Sequence, residues 1–560
     1  MRQGNLENKL SFLIRESINK ISSQIGLSGI SSMPGLEVEL EMPKQSSHGD
    51  ISTNIALKIS RRVSKYPFEL ALMITEQLRQ TIEQSSLKRI IEKVDAKEPG
   101  FINFFLQRRY LYRVLLDIKR RKDRFGKNST GRSHKINIEF VSANPTGPLT
   151  VAHGRQAAFG DSLGKILEAC GYKVQREYYV NDEGRQINML GKSIRIRYRE
   201  LFGKTEEFPE DGYKGGYITD IAKAFRKKHR KKLIDTEDLA PFSDFGVRWI
   251  LKGIKKDLAD FGVKFNVWFS QKRLSLSGKV EEALEVLKGK GLIYEKDGAE
   301  WFASTKFSDD KDRVVRKSDK QLTYLAPDIA YHLDKYRRRF RRFVDIWGPD
   351  HHGYVSRIKA AVRALGCREG ALSVLLVQLA TIYRGGKPLA MSTRAGEFIS
   401  LREVMDEVGR DVTRFCFLMR KLDSHLNFDL EVVKSQSMDN PVYYVQYAYA
   451  RIGSILKKAK KIPHTKFNSK LLKEEEELDL LRMLRQFPVV VQGCARFLEP
   501  YGIVSYLQQL AGAFHNFYDK HRVIGDDPEL TRARLVLVEC VRTVLANGLK
   551  LLGVSLPKRM

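Results

Sequence analysis

The stretch Glu139–Arg155, EFVSANPTGPLTVAHGR, decides how this chain is read. Leading into it, Lys135–Val141 (KINIEFV) alternates polar and apolar residues with β-branched enrichment, the pattern of a strand. Beyond it, Phe159, Leu163, Ile166, Leu167 and Cys170 fall at helical spacing, and Gly171 stands where a C-cap is expected. Pro145, Gly147 and Pro148 make the connection a loop. A strand feeding a Pro/Gly loop that opens a helix gathers unpaired N–H groups and the positive end of the helix dipole at one point, a site suited to phosphate. His153 stands at the helix entrance, placed to donate to an anion. On this stretch alone, a helix start that binds nothing is an equal reading, because strand–loop–helix units recur throughout α/β folds.

A chain of 560 residues is long enough for three or four domains. No window approaches 18 continuous apolar residues and the first ten residues contain no apolar signal region, so neither a membrane span nor secretion is expected. Five widely spaced cysteines form no C-x-x-C pair, so neither a zinc knuckle nor a disulfide framework is indicated, and a cytoplasmic location fits. Charge is the informative bulk property: 98 Lys+Arg against 67 Asp+Glu leaves a net +31. The surplus is clustered in Lys119–Lys127, Arg226–Lys232, Lys335–Arg342 and Lys457–Lys466. Four such runs without matching acidic blocks point to a polyanionic partner, most simply nucleic acid.

Residues 1–118 read as a small α+β domain: helical periodicity over Leu6–Ile25, a strand at Val38–Met42, helices over Gly49–Arg61 and Tyr66–Ile82, and a strand at Phe101–Leu106 announced by Pro99-Gly100. Residues 119–134 read as a basic linker. From 135 to 438 strand and helix alternate as in a Rossmann-like parallel sheet, with later buried strands at Phe343–Trp347 and Val374–Tyr383. The alternation lapses at about 205–315, which reads as an insertion carrying helices and a hairpin at Lys296-Asp297-Gly298. Residues 439–560 read as a helical bundle of four long segments, 441–460, 470–496, 502–523 and 529–552. The fold class is therefore α/β, with an α+β domain before it and a helical bundle after it.

Five motifs, in order, are similar to those of class I aminoacyl-tRNA synthetases, and within that class to the arginyl-tRNA synthetases: NPTGPLTVAHGR (144–155), YVNDEGRQ (179–186), TYLAPDIAYHLDKY (323–336), IWGPDHHGY (346–354) and AMSTRAGEF (390–398). None is diagnostic alone; this order and spacing is specific, and the resemblance spans essentially the whole chain. It implies a ligase that joins arginine to its tRNA through an arginyl-adenylate, with ATP, L-arginine and tRNA as substrates. It also implies a monomer whose activation step needs bound tRNA. Such chemistry needs no covalent enzyme intermediate: the protein positions reactants and neutralises charge on phosphate, with Mg2+ on the ATP and no dedicated protein metal site.

The resemblance carries roles onto particular residues. Thr150, His153, Ser392 and Arg394 take the catalytic positions. Gly147, Pro148, Gly154, Gly348, Asp350, His351, His352 and Met391 fall to ATP, and Glu139, Asn144, Tyr324 and Asp328 to arginine. A guanidinium is a planar fork of donors matched by carboxylates, which is why acidic residues should mark this pocket. Taken without the family, Asp328 reads as an N-cap and Glu139 as a strand carboxylate that faces solvent or pairs with a lysine. Asp350-His351-His352 also resembles metal ligation, but no further Cys or His lies nearby in sequence to complete a site.

Two departures stand out. Thr150 replaces the first signature histidine, so a hydroxyl stands where a chargeable ring is usual. In the fifth motif both lysines of the class pattern K-M-S-K are gone, leaving Ala390 and Thr393, and the position that compensates in some arginyl enzymes is Gly147 here. Lys387 and Arg394 are the nearest cations, and Arg394, beside Ser392, is the one expected to substitute. Toward the C-terminus, NPVYYVQYA (440–448) resembles the start of the family's anticodon-binding domain; Tyr443 and Tyr447 could stack on splayed bases or serve as packing. In the N-terminal domain, His48-Gly49-Asp50 and PGFINF (99–104), including Asn103, resemble the family's tRNA-elbow module. The rival readings are an RNA-binding paralogue without activity and a class I synthetase for another amino acid.

Overall fold

A computed structural model describes residues 6–26, 37–43, 45–378, 380–389, 399–435, 437–459 and 467–557. The N-terminal elements are α1 (Leu6–Lys20), β1 (Ile51–Thr53), α2 (Ile55–Val63), α3 (Pro67–Glu83), β2 (Ile91–Lys97), β3 (Phe101–Leu106) and α4 (Arg108–Arg121). The strands form an antiparallel sheet in the order β1-β3-β2, against which α3 packs, with α1 lying on α3. Val38–Met42 contributes only a bridge, Glu41 to Ser52. Both β2 and α4 escape a periodicity reading, because IEKVDAK and RRYLYRVLLDIKRR are charged enough to mask their apolar faces.

The catalytic core follows with β4 (Lys135–Glu139), α5 (Val151–Ala169), β5 (Lys173–Val180), α6 (Arg185–Glu200), α7 (Gly216–His229), α8 (Ala240–Asp260), β6 (Val267–Ser270), α9 (Gln271–Leu276), α10 (Lys279–Gly289), β7 (Ile293–Lys296), β8 (Ala299–Phe302), β9 (Arg313–Arg316), α11 (Leu325–Arg337), β10 (Arg342–Trp347), α12 (Val355–Ala364) and β11 (Leu372–Leu376). Five of these strands form one parallel sheet, β11-β10-β4-β5-β6. The order reverses beside β4, the first strand, so its C-terminal end is the switch point where ligands of such sheets bind.

Three sequence expectations change here. β6 lies inside the stretch read as an insertion yet completes the main sheet; its four residues, VWFS, are too short to show alternation. The antiparallel β7-β8-β9 sheet with its Lys296-Asp297-Gly298 turn is the part that stands outside it. The apolar run 374–383 is two strands, because the chain changes partners at Val377 and Gln378, whose N–H groups donate to Trp347 and Leu422. Its second half, β12 (Ala380–Arg384), joins β13 (Lys387–Pro388) and β14 (Leu426–Asp429) in a separate sheet. Around it lie α13 (Leu401–Val408), α14 (Arg410–Phe417) and α15 (Leu430–Lys434).

The C-terminal bundle comprises α16 (Pro441–Lys458), α17 (Glu475–Phe497), α18 (Tyr501–Lys520) and α19 (Pro528–Leu552), matching the four expected segments. Side-chain caps set two of the starts: Asn440 accepts from the N–H groups of Val442 and Tyr443, and Asp527 from those of Glu529 and Leu530. The stretch 119–134 is no free tether. Phe125 is buried and stacks on Phe487 of α17, Asn547 of α19 donates to the carbonyls of Lys122 and Phe125, and a Cβ on Gly126 would lie 2.4 Å from the Phe487 ring.

Candidate active site

The loop after β4 is held from several sides before any ligand is considered. Val141 and Ser142 both adopt positive φ, 68° and 38°, turning the chain sharply off the sheet. The Ser142 hydroxyl donates to Glu139 Oε1 (3.1 Å) and accepts from the Tyr179 N–H (3.0 Å). Tyr217 on α7 donates to the Thr146 carbonyl (2.8 Å) and stands over Gly147. Thr150 is the N-cap of α5, and its N–H donates to His153 Nδ1 at 3.1 Å. That contact makes Nδ1 an acceptor and leaves the proton on Nε2. Burial pulls the His153 pKa down to about 4, with only partial opposition from Asp350, so the ring is a neutral donor.

Across the sheet, Glu177 on β5, Glu139 on β4 and Asp345 on β10 lie in register, three buried carboxylates in a row. Like charges one strand spacing apart require cations. Helix α11 and its C-cap residue supply them. Lys335, fully buried, donates to Glu139 Oε2 (2.8 Å) and Asp345 Oδ1 (3.0 Å). Arg338 holds Glu177 through both terminal nitrogens (2.6 and 2.9 Å), and the Tyr331 hydroxyl donates to Glu177 Oε1. His332 spans the Asp328 carbonyl (2.8 Å) and Asp345 Oδ2 (3.0 Å). Burial raises the Glu139 pKa, partly countered by Lys335; for Asp345 burial also pushes upward, but Lys335 and His332 outweigh it and hold the carboxyl at about 2.

One acid escapes this neutralisation. Asp328, one turn before His332 on α11, has no cation bonded to it among the described residues. Its Oδ2 accepts from Tyr354 (2.7 Å), and burial lifts its pKa to about 6. Asp328 is not an N-cap; it lies inside the first turn of α11, where Tyr324 holds the cap position. An uncompensated carboxylate at the open end of a sheet is a seat for a cation.

The other predicted residues fall as follows. Asn144 is exposed and its amide donates to Gln186 (2.7 Å), leaving its oxygen free at the mouth. Tyr324 is 76% exposed and stands apart from the bonded cluster. Glu139 pairs with a lysine, one of the readings open to it without the family: Lys335 occupies one oxygen and Ser142 the other. Gly154 is buried against other helices, a Cβ there lying 2.6 Å from Leu401 and 2.8 Å from Phe417, so packing alone requires glycine. Pro148 and Gly147 line the loop. Gly348, Asp350, His351 and His352 form an exposed 3₁₀ turn after β10, with His351 leaning on Trp347. Met391, Ser392 and Arg394 lie outside the described residues, although the chain that follows them returns to the site: Thr150 bridges Ser400, and the Leu401 N–H donates to the Leu149 carbonyl. Asn103 is buried with its oxygen taken by Ser52 (2.7 Å), which turns it away from any RNA.

Sequence reasoning missed Lys335, His332, Asp345, Glu177 and Arg155. The first two sit at helical spacing from Asp328, a signal present but unused. Arg155 is fully buried and donates to the carbonyls of Gln378, Lys421 and Ser424, so the signature helix clamps the crossover out of β11.

Residues 115–421 match the family described as tRNA synthetases class I (R), catalytic domain. A curated arginine–tRNA ligase of Syntrophotalea carbinolica is 48% identical over 534 residues, covering 94% of this chain and 95% of the relative. The chain belongs to the arginyl-tRNA synthetase family. It is an arginine–tRNA ligase, which charges tRNA with arginine. Flanking the catalytic match, residues 8–106 match the arginyl tRNA synthetase N terminal domain and residues 445–560 the DALR anticodon binding domain. The arginine–tRNA ligase of Geobacillus kaustophilus is 44% identical over 565 residues, covering 99% of this chain and all of that one. The arginyl-tRNA synthetase of Thermus thermophilus shares the fold at a TM-score of 0.78 with 19% identity, covering 99% of this chain and 100% of that structure.

In the synthetase's bundle, Tyr443 and Tyr447 are half-buried and stacked at 5.8 Å, with Tyr447 also stacked on His515 and Arg451 bridging the Tyr447 and Tyr518 rings. Beside them opens a cavity of about 630 Å³ lined by Arg451, Lys458, Lys520 and Arg522. No helix among the described residues is long and apolar enough to cross a membrane.

Proposed function

We propose that Asp328 is the direct seat of the arginine guanidinium, and that the remaining residues assemble around it. Among the described residues its Oδ1 carries no bond while Oδ2 is fixed by Tyr354, so the carboxylate is oriented before arginine arrives. This oriented, cation-free acid is the observation that carries the reading. Glu139 acts behind it, presenting Oε1 beside Ser142 and lending negative field through a lysine-bonded carboxylate. Tyr324 covers the ligand from the lip, and the free Asn144 oxygen accepts from the α-ammonium.

The arginine carboxylate then attacks the α-phosphorus of ATP; the new C–O–P linkage forms as the bond to the β-phosphate breaks and pyrophosphate leaves. The loop bearing Gly147 and Pro148, the α5 N-terminus, the Thr150 hydroxyl and His153 Nε2–H receive the phosphates. Gly348, Asp350, His351 and His352 receive the adenosine and its ribose. Ser392, Met391 and Arg394 complete the phosphate site by motif. Mg2+ would arrive with ATP and would supply charge neutralisation on the leaving pyrophosphate, without a dedicated protein site. The tRNA ribose hydroxyl next attacks the adenylate carbonyl and AMP departs. Tyr443, Tyr447 and the cations around them read the anticodon arm, the N-terminal domain meets the tRNA elbow, and the working enzyme is a cytoplasmic monomer.

Arginine-dependent ATP–pyrophosphate exchange, measured with and without a matched tRNA pool, tests this scheme. Exchange is expected only with tRNA present, and Asp328→Ala should abolish it while sparing tRNA binding. Full exchange by Asp328→Ala would remove Asp328 from the pocket.

A further inference from the structure

What faces Asp328 decides whether it carries its charge. Among the described residues one donor is bonded to its side chain, the Tyr354 hydroxyl at 2.7 Å from Oδ2. His332, one turn further along α11, also favours the ionised form. Against them stand burial and the like charges of Glu139 on β4 and Asp345 on β10. The hydroxyl of Tyr179 on β5, also close by, is turned to Gln271 (3.0 Å). The opposing effects leave the carboxyl at about 6, near the point where it loses its charge. One hydrogen bond to a charged group is enough to tip such a balance.

The surroundings of Tyr354 hold it to this bond. It ends the turn Pro349–Tyr354 and stands at the N-cap of α12, whereas Asp328 belongs to α11, so the bond joins two elements. Its ring centre lies 6.1 Å from that of Trp347, and the Arg357 guanidinium covers its face at 4.7 Å. A cation over a phenol favours negative charge on the oxygen, which makes the O–H a better donor. The charge on Asp328 in turn decides which side chain can bind. An ionised carboxylate takes a guanidinium through charge-assisted bonds. A protonated one offers an O–H, which suits the carbonyl of a ureido group, the neutral isostere of a guanidinium. We propose that Tyr354 is a specificity-determining positioning residue: by bonding one Asp328 oxygen, it keeps the pocket selective for a cationic side chain over its ureido isostere. This rests on the arginine seat at Asp328.

The test measures binding of L-arginine and of L-citrulline, its ureido isostere, to the full-length enzyme by calorimetry across the acid and neutral range, for the wild type, Tyr354→Phe and Asp328→Asn. In the wild type, arginine affinity should fall away below about pH 6. In Tyr354→Phe that limb should move up by about one to two pH units, the worth of a hydrogen bond to a charged group. Arginine should then bind about tenfold more weakly at about pH 6.5 and within about twofold of the wild type at about pH 9, while citrulline binding holds or improves. Tyr354→3-fluorotyrosine, which keeps the ring and makes its hydroxyl a stronger donor, should move the limb the other way. A limb that stays in place in both variants overturns the proposal, and so does an equal loss of arginine and citrulline at every pH, the mark of a purely structural tie. Asp328→Asn keeps the two failures apart. An acid limb that survives it displaces the arginine seat; a limb that it removes but Tyr354→Phe does not shift removes only the tyrosine's role.

Discussion

At Asp328 a single carboxylate carries both specificity and pH dependence. Removing its charge while keeping its shape, in Asp328→Asn, should lower kcat/KM for arginine about 100-fold, the size of a lost charge-assisted pair, with KM for tRNA unmoved; steady-state kinetics decide it. Because burial raises this group to about 6, the free enzyme loses the ionised form as pH falls through that value. The kcat/KM for arginine should therefore fall about tenfold per pH unit below it. His153, held near 4, stays neutral through the same range and adds no second inflection. Lys335 behaves differently: Lys335→Met leaves Glu139 and Asp345 facing each other without a cation, and should destabilise the fold by about 3–5 kcal/mol in urea unfolding. Asp345, held at about 2, contributes stability that is complete above the ordinary carboxylate pKa and drains away as pH falls toward 2. Asp328 and Glu139 were visible as acids in their motifs, but which of them would be free was not, because Lys335 reaches both strands only once α11 lies across the sheet.

Among the elements, α5 does two jobs with its two faces. Its first turn offers donors to the loop, while Gly154 and Arg155 bind it to α13, α14 and the crossover after β11. Gly154→Val would drive its side chain into Leu401 and Phe417. A cost of about 1–3 kcal/mol is expected, read as a lowered urea midpoint, together with a loss of exchange activity as Ser400 moves off Thr150. A variant as stable and active as the wild type would mean the two helices yield without effect on the site. Helix α5 and its strand were legible from periodicity and the Pro/Gly loop. β6 was not, since four residues cannot display a period and its membership depends on hydrogen bonds to β5. The four helices of the bundle were read to within about five residues at each end, because long amphipathic segments show their period, and the Asn440 and Asp527 caps mark two of the starts.

For the whole molecule, the three parts are joined by buried polar contacts. Asp50, in the N-terminal domain, accepts from the Leu106 N–H and from Arg482 of α17 at 2.7 Å, and Tyr112 donates to the Leu472 carbonyl. At the other end of the bundle, fully buried Arg414 joins Asp161 of α5 (2.5 Å) to the Leu552 carbonyl that closes α19. Arg482→Ala should free the N-terminal domain from the bundle, raising amide exchange in β1 and β3 while leaving α5 protected; unchanged exchange would mean that apolar contacts hold the docking alone. The surplus of +31 should make tRNA affinity fall steeply with salt, with a log–log slope of about −4 or beyond.

The amino-acid order by itself determined the type of most long elements, the family and the chemistry required, because periodicity, caps and motif spacing are properties of neighbours along the chain. Only the tertiary structure decided which carboxylates are spent and which is left. The row Glu177, Glu139 and Asp345 comes from three strands, and its cations come from a helix more than 150 residues beyond the first of them. Long-range electrostatics of that kind exist only where folding has placed charges in a shared, water-poor interior.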